Sequence, residues 1–328
     1  MRIAIVGAGV AGLAAARDLH RQGHSVVIYE KSKGFGGRVA TRRVGPYTFD
    51  TGATSIAPRG KSIEQVMLHE LDTSELVLVE KPIYAHQYGR IFPGDMARSQ
   101  VPRYTYLGGN TKFPKLLAEG LEVRLESTVD RLRATNSGVE VFGESFDAVI
   151  LTPPIPQSEE LLATIGETRR FANVRYRPCL SVLLGFAAEM PEVRYHAIID
   201  TEQRHPLTWL SLESVKCPFR APAGHTAMVA QLGPAYSRQF FDSPDLAIIE
   251  DTVSQIERLY GPNFGTPDAA EVKRWRYSQP ETTTTFESVN RPGSRVLVAS
   301  DGVTGGRVEL AYEAGVMAAK LLSESVTV

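Results

Sequence analysis

An α/β fold is predicted from three stretches of the sequence. These are a glycine-rich turn after the first strand, a second strand ending in an acid, and a strand followed by a long helix at the far end of the chain. Arg2 to Val6 is a short apolar run that stops at a glycine, as a strand buried on both faces does. Gly7-Ala8-Gly9-Val10-Ala11-Gly12 matches G-x-G-x-x-G, and Ala11 to Leu19 continues with helical spacing until Gly23. Ser25 to Tyr29 is a second β-branched run, with Glu30 at its tip, eighteen residues after Gly12. In such a strand–helix–strand unit Gly7 permits the tight turn, Gly9 lets backbone approach a pyrophosphate, and Gly12 lets helix and strand pack closely. The helix start at Ala11 and Gly12 offers N–H groups and a partial positive charge to phosphates. A carboxylate at Glu30 accepts hydrogen bonds from ribose hydroxyls and repels a 2′-phosphate, which predicts FAD or NAD and not NADP.

Two further segments favour FAD. Lys31-Ser32-Lys33-Gly34-Phe35-Gly36-Gly37-Arg38 follows the acidic tip, where Gly36 and Gly37 let the chain cross a pyrophosphate and Arg38 adds a fixed charge. Phe49-Asp50-Thr51-Gly52-Ala53 is another glycine-marked stretch suited to lie against the cofactor. At the other end, Arg295 to Ser300 reads as a buried strand ending at Asp301, whose carboxylate suits a ribityl hydroxyl. Thr304-Gly305-Gly306-Arg307-Val308-Glu309 then opens a helix with Ala311, Ala314, Gly315, Ala318 and Leu321 on or near one face. The positive end of that helix suits the flavin edge that gains negative charge on reduction.

The bulk numbers restrict the class. Of 328 residues 43% are hydrophobic and 22% charged, and 36 basic against 37 acidic residues leave a net charge of -1. This is an ordinary globular composition without the basic excess of a nucleic-acid binder. The longest apolar run, around Cys179 to Ala188, is well short of the roughly 20 residues that span a bilayer. Met1-Arg2-Ile3-Ala4-Ile5-Val6 runs directly into glycines with no signal-peptide core, so a cytoplasmic protein is expected, without membrane or nucleic-acid partners. Cys179 and Cys217 are far apart and expected to be free thiols, and the seven scattered histidines show no metal-ligand spacing.

Between the two ends, Val123 to Ser127, Val129 to Thr135, Val139 to Phe142 and Phe146 to Thr152 read as strands, with a hairpin turn at Asn136-Ser137-Gly138. Leu107-Gly108-Gly109-Asn110 is expected to cap a helix carrying Phe113, Leu116 and Leu117. Leu180 to Phe186 and Met228 to Leu232 read as strands and Asp245 to Leu259 as a helix. Thr282 to Thr285 is an edge strand or loop. The expected organisation is a discontinuous Rossmann-type FAD-binding domain (1–57, 107–158 and 292–328) with an inserted mixed α+β substrate domain (58–106 and 159–291) packed over the flavin ring.

Together these segments resemble the flavin amine oxidase superfamily of two-dinucleotide-binding-domain flavoproteins, and in detail the renalases and their bacterial homologues. The residues that carry the resemblance are Ile5 through Leu13, Lys31 through Arg38, Asp50-Thr51-Gly52-Ala53, Leu151-Thr152-Pro153, Arg274-Trp275-x-Tyr277, and Asp301 through Glu309. It runs from end to end. Ser300, Leu310 and Thr54-Ser55 depart from the family pattern. The resemblance implies that FAD is held by Gly7, Gly9, Ala11, Gly12, Glu30, Lys31, Gly37, Arg38, Gly52, Ala53, Thr54, Val129, Thr152, Asp301, Arg307 and Val308. Val129 is expected to meet the adenine by its backbone, and Thr152 the adenosine-pyrophosphate portion.

In hydride transfer to flavin the protein places the donor carbon and shapes the field, and no acid–base pair is required. The sequence offers no convincing one: His86, His196, His205 and His225 are expected to serve packing or surface roles. Trp209, Trp275 and Tyr277 are candidates for the substrate face, with Phe92 as a further ring suited to stacking, and Arg274 and Arg307 are candidate anchors for a phosphate or carboxylate. The resemblance implies an oxidase that takes a hydride from a dihydronicotinamide, NAD(P)H or an isomer, and passes the electrons to O₂, giving hydrogen peroxide. Oxidation of a small amine or apolar molecule, and a non-catalytic flavin-binding sensor, remain as alternatives.

Overall fold

The computed structural model describes residues 1–87, 89–95, 100–169, 171 and 174–324, so the last four residues of the segment 292–328 lie outside the described residues. Five strands stand side by side and parallel in the order Val296–Val298, Ala148–Leu151, Arg2–Val6, Ser25–Tyr29 and Glu122–Arg124. The central strand is covered on both faces, and Ile3, Ala4 and Ile5 are wholly buried, as its unbroken apolar run requires. The helix Val10–Arg21 follows the glycine turn and ends before Gly23, which takes a φ of 85°.

The final helix, Val308–Glu324, lies directly on this first helix. A Cβ on Gly315 would stand 2.1 Å from the Ala11 carbonyl oxygen, so only glycine lets the two backbones approach this closely. The helix that closes the chain is thereby fixed beside the glycine turn that opens it. Ala314, Gly315 and Ala318 are buried on this contact, while Ala311 and Leu321 are half-buried at its border.

Three sequence expectations change in the middle of the chain. Phe146 to Thr152 is two strands: Glu144–Phe146 completes an antiparallel sheet with Arg133–Ala134 and Val139–Val141, while Ala148–Leu151 joins the parallel sheet. The break falls at Asp147, whose N–H donates to the Arg2 carbonyl at 2.8 Å and whose carboxylate accepts the Arg2 N–H at 2.7 Å. The strand expected from Val129 shrinks to Arg133–Ala134. The one expected over Val123 to Ser127 is Glu122–Arg124, followed at Glu126 by a left-handed residue with φ 52°.

A second, seven-stranded sheet has the order Ala269–Pro280, Tyr176–Phe186, Thr226–Leu232, Leu207–Leu212, Ala197–Ile199, Ile83–Gln87 and Arg90–Pro93. Its pairs are antiparallel except that of Ala197–Ile199 with Ile83–Gln87. One face is apolar, with Leu180, Val182, Leu184, Phe186, Leu210 and Met228 packed under the helix Asp245–Tyr260. The other face meets the Rossmann half through Leu183, Ala227 and Val229, which pack on Tyr47 and Phe49 of the strand Tyr47–Asp50. Thr282 to Thr285 is loop, and Thr285 precedes the short helix Phe286–Val289. Among the described residues no helix is long and apolar enough to cross a membrane.

Candidate functional site

At the nucleotide end the three glycines do different work. Gly7 adopts φ 104°, and a Cβ there would meet Thr152 Oγ1 at 2.5 Å. A Cβ on Gly12 would stand 2.0 Å from the Gly7 carbonyl oxygen, whereas in front of Gly9 nothing lies within 4 Å. The turn is therefore tight behind and open in front. Helix geometry leaves the first N–H groups of Val10–Arg21 without intrahelical partners, and no carbonyl of the described chain accepts those of Ala11 and Gly12. Glu30 is buried beside this opening. Its Oε2 accepts the Ala8 N–H and its Oε1 the Ser32 N–H, each at 2.8 Å. Each carboxylate oxygen keeps a lone pair for a further donor. An open, N–H-lined helix start next to an anchored carboxylate fits the diphosphate and ribose of FAD.

Thr152 supports the turn from below, its hydroxyl donating to the Val6 carbonyl at 2.8 Å. Val129 is half-buried on the core; Ser127, two residues earlier, donates its N–H to the Glu30 carbonyl at 2.8 Å. The loop after Glu30 returns to the turn, where the Gly36 N–H donates to the Ala8 carbonyl at 2.9 Å. Gly36 and Gly37 both take positive φ, 102° and 53°. Lys31 is exposed at the lip of this loop.

Arg38 and Asp301, nominated separately by the sequence, form an ion pair with each other. The same guanidinium reaches the carbonyls of Tyr277 and Ser278 at 3.3 Å, and Asp301 Oδ1 accepts the Tyr176 hydroxyl at 2.8 Å. Burial first, and then the Asp301 charge, push the Tyr176 hydroxyl pKa upward, so it remains a donor. Ser300, a departure from the family pattern, accepts the Gly302 N–H at 3.2 Å and caps the short turn Asp301–Val303. Leu310 fills the space beside Gly305, where a Cβ would meet its Cδ1 at 2.7 Å. Val308 is half-buried at the start of the last helix. Arg307 is about half exposed, and its Nε lies 2.9 Å from Glu309 Oε1.

The segment Asp50 to Thr54 is clamped from both halves. Arg38 offers its carbonyl to the Ala53 N–H at 2.9 Å, and a Cβ on Gly52 would collide with that carbonyl oxygen at 2.1 Å. From the seven-stranded sheet, Gln231 Nε2 donates to the Gly52 carbonyl at 2.6 Å and Trp275 Nε1 to the Thr51 carbonyl at 3.1 Å. Beneath it lies a wholly buried charge network that sequence reasoning missed. Lys216 Nζ donates to Asp50 Oδ2 at 2.9 Å, to Glu213 Oε1 at 2.7 Å and to the Thr54 carbonyl at 2.7 Å, while Arg220 donates to Asp50 Oδ2 at 2.9 Å. Burial opposes charge on Asp50, but Lys216, Arg220 and the Asn110 N–H hold its carboxyl below the ordinary aspartate range. Asn110 does not cap the helix Lys112–Leu117, which begins after Thr111. Its side chain instead donates to the Ala53 carbonyl at 2.9 Å. The signal in the sequence was Glu213-x-x-Lys216, which helical spacing pairs on one face.

Strand alternation sorts the substrate-face candidates. Residues 271, 273 and 275 of Ala269–Pro280 point to the Rossmann half, and 272 and 274 to the helix on the far side, before the register shifts between Trp275 and Gln279. Trp275 thus stands on the face turned to the Rossmann half, where the Tyr277 carbonyl also meets Arg38. Trp209, opposite Gln231, shares that face with Ser211, and a bulge between Leu207 and Trp209 turns Leu207 to the other one. Tyr277 meets Tyr176 edge-on at 5.6 Å. Arg274 is a correction. It lies on the far face, ion-paired with Asp245 and donating to the carbonyls of Phe241 and Ser243, so it cannot anchor a substrate at the flavin.

The histidines make packing and backbone contacts of their own. His86 is buried and has no hydrogen-bond partner among the described residues; it packs edge-on against His205 at 4.7 Å, and burial lowers its pKa. His196 meets the Lys81 carbonyl, and His225 the Tyr47 hydroxyl at 2.8 Å. Cys179 and Cys217 are free, and burial pushes the Cys179 thiol up to about 11. Among the described residues no group of three or more His, Cys, Asp or Glu is placed to hold a metal ion.

Comparison with known proteins agrees with this geometry. Residues 5–70 match the NAD(P)-binding Rossmann-like domain family, and residues 82–323, well over half the chain, match the flavin containing amine oxidoreductase family. The 4,4'-diapophytoene desaturase of Staphylococcus aureus (strain Newman) is 48% identical over 56 residues, 17% of this chain. The chain covers 11% of the length of that relative. Over 100% of its length the chain shares the fold of a protein from Exiguobacterium sp. 255-15 provisionally named a protoporphyrinogen oxidase (TM-score 0.79, 15% identity, 99% of that chain). It likewise shares the fold of the cyclohexylamine oxidase of Brevibacterium oxydans IH-35A (TM-score 0.76, 14% identity, 100% of both chains). FAD is the cofactor, and the chain belongs to the flavin-containing amine oxidoreductase family.

Proposed function

We propose that the protein is a renalase-like oxidase that removes a hydride from a dihydronicotinamide. In this reading segments 1–57, 107–158 and 292–328 hold FAD, and segments 58–106 and 159–291 form the substrate domain. FAD, when bound there, would supply the two-electron acceptor for the hydride, with O₂ as the final acceptor and hydrogen peroxide as the product. The observation that carries the reading is the Trp275 indole fixed to the Thr51 carbonyl at 3.1 Å, which sets an aromatic face opposite the Asp50 to Thr54 segment.

The residues of that face have positioning roles. Trp275, Tyr277 and Trp209 offer flat apolar surface for a planar ring, and their bulk keeps water from the donor carbon. Gln231 and Trp275 hold the carbonyls of Gly52 and Thr51, which fixes the wall behind the reacting atoms. Ala11, Gly12, Glu30, Arg38 and Asp301 would hold the diphosphate, ribose and ribityl chain of FAD.

Family membership favours a second reading, oxidation of an amine. An ammonium group needs a free carboxylate or an open aromatic cage. The acid that Ala269–Pro280 brings to the face, Glu271, is ion-paired with Arg42 at 3.1 Å, and the Lys273 cation beside the Trp275 ring repels a second ammonium. This arrangement supports the dihydronicotinamide. Anaerobic mixing of the FAD-loaded protein with dihydronicotinamide isomers and with a panel of amines decides between them. Rapid flavin bleaching by a dihydronicotinamide is expected. Bleaching by amines alone would replace the first reading with the second, and no bleaching by either would leave a flavin-binding sensor.

A further inference from the structure

The flavin-side face of the seven-stranded sheet contains a cation without an ion-pair partner among the described residues. Lys273 stands two residues before Trp275 on the same face, its Nζ 5.0 Å from the Trp275 ring centroid. Among the described residues no carboxylate lies within ion-pair distance of it. Glu271, its neighbour on the strand, is taken by Arg42. Of the arginines that the sequence nominated as anchors, Arg274 is ion-paired with Asp245, and Arg307 shares Glu309 with Arg59. Lys273 is half-buried, and its pKa is lowered first by burial and then by the positive charges of Arg42 and Lys31, against the opposing pull of Glu271. Arg42 and Glu271 satisfy each other, which leaves the Lys273 charge without a counter-ion among the described residues.

An uncompensated, partly desolvated cation costs stability unless an anion arrives to meet it. We propose that Lys273 is an anion site that takes a phosphate of the donor while the donor's ring lies on the aromatic face at Trp275. The preferred donors are then phosphorylated dihydronicotinamides, with the unphosphorylated riboside a poor substrate. This rests on the dihydronicotinamide reading. Lys273 Nζ lies beside the Trp275 ring, 5.0 Å from its centroid, so a donor whose ring reaches Trp275 also meets the cation. The aromatic face supplies stacking and Lys273 supplies charge, so one strand reads both parts of the donor.

The test compares NADH with dihydronicotinamide riboside as reductants of the FAD-loaded wild type and of Lys273→Met and Lys273→Arg, by anaerobic rapid mixing. FAD content and thermal midpoint are measured on each protein. The expected result is a half-saturating NADH concentration raised about tenfold or more in Lys273→Met, since a charge-assisted contact contributes about 1.5–3 kcal/mol. The riboside should be unaffected, and Lys273→Arg should restore most of the NADH preference. Equal shifts for the two donors, no shift for either, or loss of FAD from Lys273→Met would each overturn the site. The last of these would assign the cation to the cofactor's own phosphates. Wild-type flavin that neither donor reduces would instead sink the underlying reading.

Discussion

Lys216 Nζ and Asp50 Oδ2 lie 2.9 Å apart with both side chains entirely removed from solvent, and the contact joins the strand that leads into the Thr51 to Thr54 segment to the seven-stranded sheet. Lys216 faces two carboxylates, and Arg220 supplies the second cation, so the network is balanced only when all four members are present. Removing one partner from a buried pair costs about 3–5 kcal/mol, because the remaining charge stays desolvated. Lys216→Met should therefore lower the urea midpoint by that equivalent. It should also free the Thr54 carbonyl and loosen FAD retention. A Lys216→Met protein with wild-type midpoint and flavin content would show that the network is not structural.

Gly315 is the point where the last helix touches the first. A methyl group there would sit 2.1 Å from the Ala11 carbonyl oxygen, so Gly315→Ala has to push the helices apart. Overpacking of this kind costs typically about 1–3 kcal/mol. The displaced helix carries Val308 and the backbone next to Asp301, so flavin content should fall together with the thermal midpoint. The control is Gly23→Ala, where nothing lies within 4 Å of the added Cβ. There only the cost of a positive φ should appear, without flavin loss.

How much was legible in the sequence depended on whether local rules decided the structure. The turn Gly7 to Gly12, the strands Arg2–Val6 and Ser25–Tyr29 and the helix Asp245–Tyr260 were readable because period, punctuation and burial agree there. Arg274 was misplaced even though its strand alternates plainly: Trp275 and Tyr277 share one parity and Arg274 the other. The Asp50–Lys216–Arg220 network was not legible, since its members lie 166 and 170 residues apart and meet only through tertiary packing. The pairing of Arg38 with Asp301 was hidden for the same reason, although each residue had been singled out.

Glu30 gives a direct test of the nucleotide end. Its carboxylate accepts two backbone N–H groups at 2.8 Å and holds the strand tip against the glycine turn. Glu30→Gln keeps the shape but removes the charge and leaves at least one donor facing another donor. Hydrogen bonds to a charged group contribute about 1.5–3 kcal/mol, so FAD affinity should fall roughly tenfold to a hundredfold. Titration of the apoprotein with FAD, followed by quenching of flavin fluorescence, reads this directly. Unchanged affinity would mean that the adenosine does not lie at Glu30.

His196 ties stability to pH without touching the site. Its ring meets the Lys81 carbonyl through Nδ1, while Nε2 is buried with no partner, so a second proton would sit on a nitrogen with nothing to accept it. Burial, chiefly, pushes its pKa down to about 4 from the ordinary 6.5, with the charges of Lys216 and Arg103 acting in the same direction. The unfolded chain therefore binds a proton that the folded chain refuses over that interval. The contribution to stability is complete above about pH 6.5 and is lost as the pH falls towards 4, by up to about 3 kcal/mol. Urea midpoints of the wild type should decline through this window, and His196→Phe, which cannot take up the proton, should flatten the slope. Parallel slopes for the two proteins would place the acid sensitivity at other groups, and the buried carboxylate Asp50, which titrates lower, would be the next to replace.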